Sequence, residues 1–324
     1  MSRKVKFGIV GFGRFGTKLL LPAFNSAKNA ELIAITKRNL EDAIQKARKY
    51  DIPLAYSCSD LAQMLQNKEI EAIYISTPNK YHHSGAIQAL KAGKHVIIEK
   101  PMALNAKECS EIIEVSKETG CKLMIAHCYR FNSTIQYVKK IIDDGKIGNL
   151  VMGTADFMST GRASTRSWKY DKDMSGGGAS FDLSIHMIDI LRYLNPVPLK
   201  DVSQVHWPDP LPEKFLDEFA AFTLNFSNGF VGRAVGSFYG PHHTCLEIFG
   251  TEGFVRAFDW HIPFRKVEIM KEIGGKHQTY EITNDDHYRL QIDAFAQSIM
   301  NDTPVPISGE EGLINQKIID LVNE

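Results

Sequence analysis

Net charge is the first thing the sequence lacks: 38 Lys and Arg balance 38 Asp and Glu over 324 residues. Without an excess of either sign there is no global field to draw in nucleic acid or an anionic membrane surface. Cysteine is scarce as well. Cys58, Cys109, Cys121, Cys128 and Cys245 show no C-x-x-C pair and no zinc-ligand spacing. Neither a disulfide scaffold nor a metal site is expected, and the thiols read as free and reduced. No run approaches the ~20 apolar residues of a membrane span. The basic start, Met1 to Lys6, leads into a stretch too short and too glycine-rich for a signal-peptide core. No low-complexity tract or internal repeat interrupts the chain. The expectation is a soluble, cytoplasmic protein with no metal, no nucleic-acid partner and no membrane contact.

What is present suits a folded chain. Hydrophobic residues make up 44% and charged residues 23%, ordinary for a globular protein. At roughly 150 residues per domain the length suggests two domains. The first third alternates strands and helices. Val5–Val10, Glu31–Thr36, Ala72–Ser76, Val96–Glu99 and Lys122–Ala126 read as short buried strands. Helices are expected over Phe12–Ala27, Leu61–Leu65, His82–Lys91 and from Asn105, whose spacing to Glu108 is that of a capping box, to Thr119. Repeated βα units imply a parallel sheet, doubly wound, with helices on both faces. Beyond about residue 126 the texture changes. Helices over Ser133–Asp143 and Phe181–Leu194 accompany strand-like runs from Leu150–Met158 to Thr279–Ile282, with a hairpin signal at Asn228-Gly229. Helices around His287–Met300 and Glu310–Val322 close the chain. The expectation is an α/β domain over 1–125, and an α+β domain over 126–324 with a large, mostly antiparallel open sheet.

Gly11-Phe12-Gly13-Arg14-Phe15-Gly16 follows the first strand directly and opens a helix within a βαβ unit. That context turns G-x-G-x-x-G into a dinucleotide cradle. Gly11 permits the tight turn, Gly13 lets backbone approach a pyrophosphate, and Gly16 lets helix and strand pack. About 20 residues on, an NAD-preferring site wants an acid for the ribose hydroxyls. This chain has Thr36-Lys37-Arg38, a hydroxyl and two cations suited to a 2′-phosphate. NADP(H) is expected over NAD(H).

Three further motifs carry a resemblance. Ser76-Thr77-Pro78-Asn79, with His82, ends the strand at Ala72. Glu99-Lys100-Pro101 ends the next. Gly176-Gly177-Gly178 precedes Asp182 and His186. With the glycine motif, in this order, they resemble the glucose-fructose oxidoreductase / inositol dehydrogenase (Gfo/Idh/MocA) family, over nearly the whole chain. The resemblance implies an N-terminal Rossmann domain, a C-terminal α+β domain, and nicotinamide-dependent oxidation or reduction of a sugar, polyol or related cyclic alcohol. It implies Lys100 as the active-site lysine, Asp182 and His186 as an acid/base pair, and Ser76, Thr77, Pro78, Asn79, His82 and Glu99 along the cofactor. It also implies a homodimer or homotetramer paired through the C-terminal sheet.

The residues suit that chemistry. Asp182 and His186 are four apart on a helix and share a face, which Asp189 extends. A histidine titrates near neutrality and can take or return a hydroxyl proton. Lys100 ends a parallel strand, the edge where ligands bind in open α/β sheets. Whether Lys100 or His186 is the immediate base stays open. Tyr129 and Arg130, where the chain passes from one half to the other, are candidate substrate contacts, as are Arg166 and Trp168. Two other readings remain: an NAD(P)-retaining glycosidase using transient redox, and a non-catalytic cofactor sensor. The joint presence of Lys100, Asp182 and His186 speaks against the sensor.

Overall fold

A computed structural model describes residues 3–160, 167–211 and 215–323. The chain groups into two units, Met1–Ala126 with Tyr288–Gln316, and His127–His287 with Lys317–Glu324.

The first unit opens with β1 (Val5–Val10), whose apolar side chains are buried. Helical turns over Gly16–Leu20 run into α1 (Leu21–Ser26), followed by β2 (Ala30–Lys37), α2 (Leu40–Lys49) and β3 (Leu54–Ser57). Then come α3 (Leu61–Gln66), β4 (Ala72–Ile75), α4 (His82–Lys91), β5 (His95–Ile98), α5 (Ala106–Thr119) and β6 (Leu123–Ile125). The strands form one parallel sheet in the order β3-β2-β1-β4-β5-β6. The order reverses between β1 and β4, and ligands bind at such a switch point, beyond the carboxyl ends of the strands. Asn105 caps α5 as its spacing predicts, accepting from the Glu108 N–H at 3.0 Å. Two elements escape the sequence reading, α2 and β3. Helix α2 buries only Ala43 and Ala47 and is otherwise rich in charge. Strand β3 is a four-residue edge strand, most of it half-exposed.

The second unit holds α6 (Ser133–Asp143), β7 (Leu150–Met158), the short α7 (Lys172–Ser175), and a helical turn over Ser180–Ser184 that continues into α8 (Ile185–Leu194). Seven strands follow: β8 (Leu199–Trp207), β9 (Phe219–Phe226), β10 (Val231–Ser237), β11 (His243–Gly250), β12 (Gly253–Phe258), β13 (Lys266–Ile273) and β14 (Lys276–Thr283). With β7 they make one eight-stranded sheet, β14-β13-β12-β11-β7-β10-β9-β8, antiparallel except where β10 runs parallel to β7. The hairpin at Asn228-Gly229 joins β9 to β10, and Gly229 takes φ +87°. One face of this sheet lies under α8. A Cβ on Gly153 would come within 2.7 Å of Phe230 and 2.8 Å of Ile248, so glycine there lets the layers close. The other face carries Met152, Val205, Trp207, Val231 and Phe258, all exposed, around Asp156, Arg233 and Glu247.

The chain ends in α9 (His287–Met300) and α10 (Gly309–Asp320). The sequence reading gives all of 126–324 to the second domain, but Tyr288–Gln316 group with the first. The cause is burial. Ile292, Phe295 and Ala296 of α9 are fully buried, and the Phe295 ring meets Phe7 of β1 edge-on at 6.2 Å. Asp293 accepts from the backbone N–H groups of Lys28 and Asn29 at 2.8 Å each. Beyond β6, the Ile125 N–H donates to the Ile307 carbonyl at 3.1 Å.

Candidate active site

The glycine loop is braced from two sides. The Gly11 N–H donates to Thr36 Oγ1 at 3.1 Å, and the Phe12 N–H donates to the Thr36 carbonyl at 2.8 Å. Ser76 Oγ donates to the Gly11 carbonyl at 3.1 Å. Gly11 has φ +89°, and a Cβ there would sit 2.8 Å from Thr77 Cγ2, so this position demands glycine. Gly16 is packed: a Cβ would meet the Phe12 ring at 2.8 Å. Gly13 differs, since a Cβ there would meet nothing nearer than the Gly11 carbonyl oxygen at 3.9 Å. Its lack of a side chain is not required by packing and leaves the backbone open to an approach from outside the protein, such as a pyrophosphate makes. Thr77 Oγ1 is buried with no hydrogen-bond partner among the described residues. An open backbone cradle and a waiting hydroxyl fit a dinucleotide at this edge. Arg14 is exposed, and the Phe15 ring packs edge-on against Tyr288 at 5.7 Å.

Thr36, expected to meet the cofactor, is fully buried and turned to the loop. Lys37 is half-buried and Arg38 exposed. The β2–β3 register sets Lys37 beside Ser57, whose hydroxyl donates to the Arg38 carbonyl at 3.3 Å and pairs with Ser59 Oγ at 2.8 Å. The sequence reading misses these serines because it misses β3.

At the ends of β4 and β5, Ser76, Thr77, Pro78 and Lys100 are half-buried and Asn79 is buried. Glu99 accepts from the Tyr74 hydroxyl at 2.5 Å, and that hydroxyl also accepts from Gln291 Nε2 at 3.2 Å. His82 has no exposed surface. One ring nitrogen lies 2.8 Å from the Pro101 carbonyl oxygen and the other 2.9 Å from that of Thr77. It stands beneath the loops, not along their open edge.

In the second unit the three glycines build a helix entrance. Gly176 takes φ +81°, and a Cβ on Gly178 would lie 1.8 Å from the Asp217 carbonyl oxygen. The Asp217 carboxylate, fully buried, accepts from the Gly178 N–H at 2.7 Å, the Ser180 N–H at 2.6 Å and Ser180 Oγ at 2.9 Å. Burial pushes its pKa up, against the pull of those donors. This anchor is not legible in sequence, since 37 residues separate Ser180 from Asp217.

Asp182 lies in the Ser180–Ser184 turn, which is π-helical where the sequence reading expects α-helix, and His186 follows in the first turn of α8. Asp182 accepts from Lys169, a residue the sequence reading passes over between Trp168 and Tyr170. His186 is buried, with the Tyr129 ring 4.7 Å away and His127 6.4 Å away. Asp189 accepts from Arg130 through two nitrogens, at 3.0 and 2.7 Å, with His127 Nδ1 3.7 Å off. Arg130 is therefore buried and paired under His186, not held out toward solvent. Tyr129 joins His186, Trp260 and His287 in one aromatic cluster. Burial lowers the pKa of His287 to about 3. Trp168 is half-buried, and Arg166 lies outside the described residues. Among the described residues no group of three His, Cys, Asp or Glu is placed to hold a metal, and no helix is long and apolar enough to cross a membrane.

Residues 5–127 match an oxidoreductase family with an NAD-binding Rossmann fold, and residues 135–256 match the Gfo/Idh/MocA C-terminal domain. An uncharacterized oxidoreductase of Rhizobium meliloti is 30% identical over 98% of this chain and 96% of its own length. A levoglucosan dehydrogenase of Pseudarthrobacter phenanthrenivorans is 33% identical over 68% of this chain and 63% of its own. An aldose-aldose oxidoreductase from Caulobacter crescentus, solved with glycerol, shares the fold with a TM-score of 0.92 over 99% of this chain and 97% of the other, at 24% identity. The chain belongs to the Gfo/Idh/MocA family. It is an oxidoreductase, a nicotinamide-dependent dehydrogenase or reductase.

Proposed function

We propose that this enzyme moves a hydride between NADP(H) and a hydroxyl or carbonyl group of a sugar, polyol or related cyclic alcohol. The observation that carries the reading is the second-unit constellation. A histidine that can exchange a proton is fixed by Tyr129, one helical turn from a carboxylate held by Lys169. The bound nicotinamide supplies the hydride chemistry. The protein must then move the hydroxyl proton. His186 takes it on oxidation and returns it on reduction, and Asp182 favours the cationic form of the ring. The Lys100 ammonium donates to the substrate oxygen and stabilises its alkoxide character. The glycine loop from Gly11 to Gly16 would hold the pyrophosphate, with Gly13 leaving its backbone open to it. Lys37 and Arg38 are the residues that would hold a 2′-phosphate, which supports NADP(H). The names of the levoglucosan and aldose relatives support a sugar-like substrate.

The test is a nicotinamide-absorbance screen with NAD and NADP against sugars, inositols and dihydrodiols, run beside Lys100→Ala. Turnover should appear with stoichiometric nucleotide reduction and fall about 10²-fold or more in the variant, with nucleotide affinity nearly unchanged. Comparable turnover in Lys100→Ala would sink the assignment. The exposed apolar residues on the uncovered face of the second sheet support pairing of subunits there. Light scattering at micromolar protein should give a dimer or tetramer, and a monomer contradicts this.

A further inference from the structure

Every carboxyl-end loop of the first sheet that meets the cofactor is tied to its neighbour. Thr36, at the end of β2, holds the Gly11 N–H; Ser76, after β4, holds the Gly11 carbonyl. Thr77 packs where a Cβ on Gly11 would stand. At the next step, the Glu99 N–H donates to the Ile75 carbonyl at 3.0 Å where β4 and β5 end, and a side chain ties the loop after β4 to the loop after β5. It is His82, with one nitrogen on the Thr77 carbonyl and the other on the Pro101 carbonyl.

We propose that His82 is a positioning residue that links the glycine loop to Lys100, so that nucleotide binding at the first fixes the lysine loop at the second. The inference rests on the reading of Lys100 given above only for its effect on turnover. The linkage itself is geometric. Thr77 lies between Gly11 and His82 in this series, and Pro101 is the residue next to Lys100. The imidazole is walled off from solvent, so water cannot replace its contacts cheaply. Two carbonyl acceptors call for two ring protons. Burial, with the Lys100 charge, opposes the second and holds the pKa to about 4. At neutral pH the ring donates through one nitrogen and props the other loop by contact. His82 thus leaves the cofactor-contacting set and becomes the beam beneath it.

Hydrogen–deuterium exchange on the full-length protein, with and without NADPH and NADH, tests this without a substrate. In the wild type, saturating NADPH should slow exchange in the glycine loop and in residues 99–104. In His82→Leu, the glycine loop should still be protected, while protection of 99–104 should fall at least threefold. Equal protection of both segments in the variant overturns the linkage. If His82→Leu does not fold cooperatively, His82→Gln, whose amide reaches one carbonyl, is measured on the same segments. Undiminished protection there overturns it equally. With a substrate from the screen, His82→Leu should lower kcat on the order of 10²-fold, as misplacement by an ångström does, with under threefold change in NADPH affinity. His82→Gln should recover part of kcat. Losses of kcat and affinity in equal measure would return His82 to a direct cofactor contact and refute the proposal. Full turnover in Lys100→Ala refutes the lysine reading alone and leaves the exchange result to decide the linkage.

Discussion

Lys37 and Arg38 follow the buried Thr36, whose hydroxyl is engaged by Gly11. On the proposed reading, discrimination of a 2′-phosphate would fall to the two cations and not to the threonine. Lys37→Ala with Arg38→Ala should weaken NADPH about 10²- to 10⁴-fold, since hydrogen bonds to charged groups contribute roughly 1.5–3 kcal/mol each. NADH should weaken less than threefold. Fluorescence titration with both nucleotides checks this, and equal losses would place the 2′-phosphate elsewhere. Under His186 the decisive residue is Asp189, buried with Arg130. Asp189→Asn takes the carboxylate charge from beside the buried guanidinium. It should cost about 3–5 kcal/mol of stability, read from urea unfolding. A shift below 1 kcal/mol would show that Arg130 finds another anion.

The entrance to the helical turn before α8 is where backbone geometry leaves least freedom. A Cβ on Gly178 would sit 1.8 Å from the Asp217 carbonyl oxygen, a backbone atom that no rotamer change can clear. Gly178→Ala should destabilise by more than about 2 kcal/mol and lower turnover, because the turn that carries Asp182 must shift. Gly13→Ala, with open space around it, should leave melting within a degree or two and act on nucleotide binding instead. The contrast between these glycines is invisible in sequence, where both stand in glycine-rich runs. What was legible followed local rules. The βα alternation, the glycine loop, the Asn105 cap, the Asn228-Gly229 hairpin and the spacing of Asp182 and His186 all depend on residues within a few positions. Helix α2 was missed because its buried face is carried by small Ala43 and Ala47 among charged residues, and β3 because four residues are too few to show a period. Asp217, the Lys169–Asp182 pair and the Arg130–Asp189 pair were not, because each joins residues 13 to 59 apart and only the folded chain brings them together. The C-terminal helices were legible as helices but not as part of the first unit, since an apolar face does not name what it packs on.

At the scale of the molecule, four histidines among the described residues sit in sites that resist charge: His82 and His261, each held near 4, His287, near 3, and His95, lowered as well, all mainly by burial. Each binds a proton near 6.5 when unfolded. Between 6.5 and 4 the unfolded state therefore holds more protons, and stability falls as pH falls. His82 alone contributes up to roughly 3 kcal/mol, present above pH 6.5 and lost by about pH 4. Thermal unfolding should show a melting temperature that drops steadily from pH 7 to pH 4.5, with a shallower slope in His82→Gln. A melting temperature flat across that range would mean that these imidazoles charge without penalty. The return of Tyr288–Gln316 to the first unit has another bearing, on synthesis. Phe295 caps Phe7, and the Ile307 carbonyl meets Ile125 beyond β6, so the nucleotide-binding unit has no finished wall when its 126 residues leave the ribosome. At ~5–20 residues per second the missing pieces arrive roughly 10 to 40 seconds later. The half that is made first is thus completed last, and a gene fragment ending at the apparent domain boundary would encode an open core.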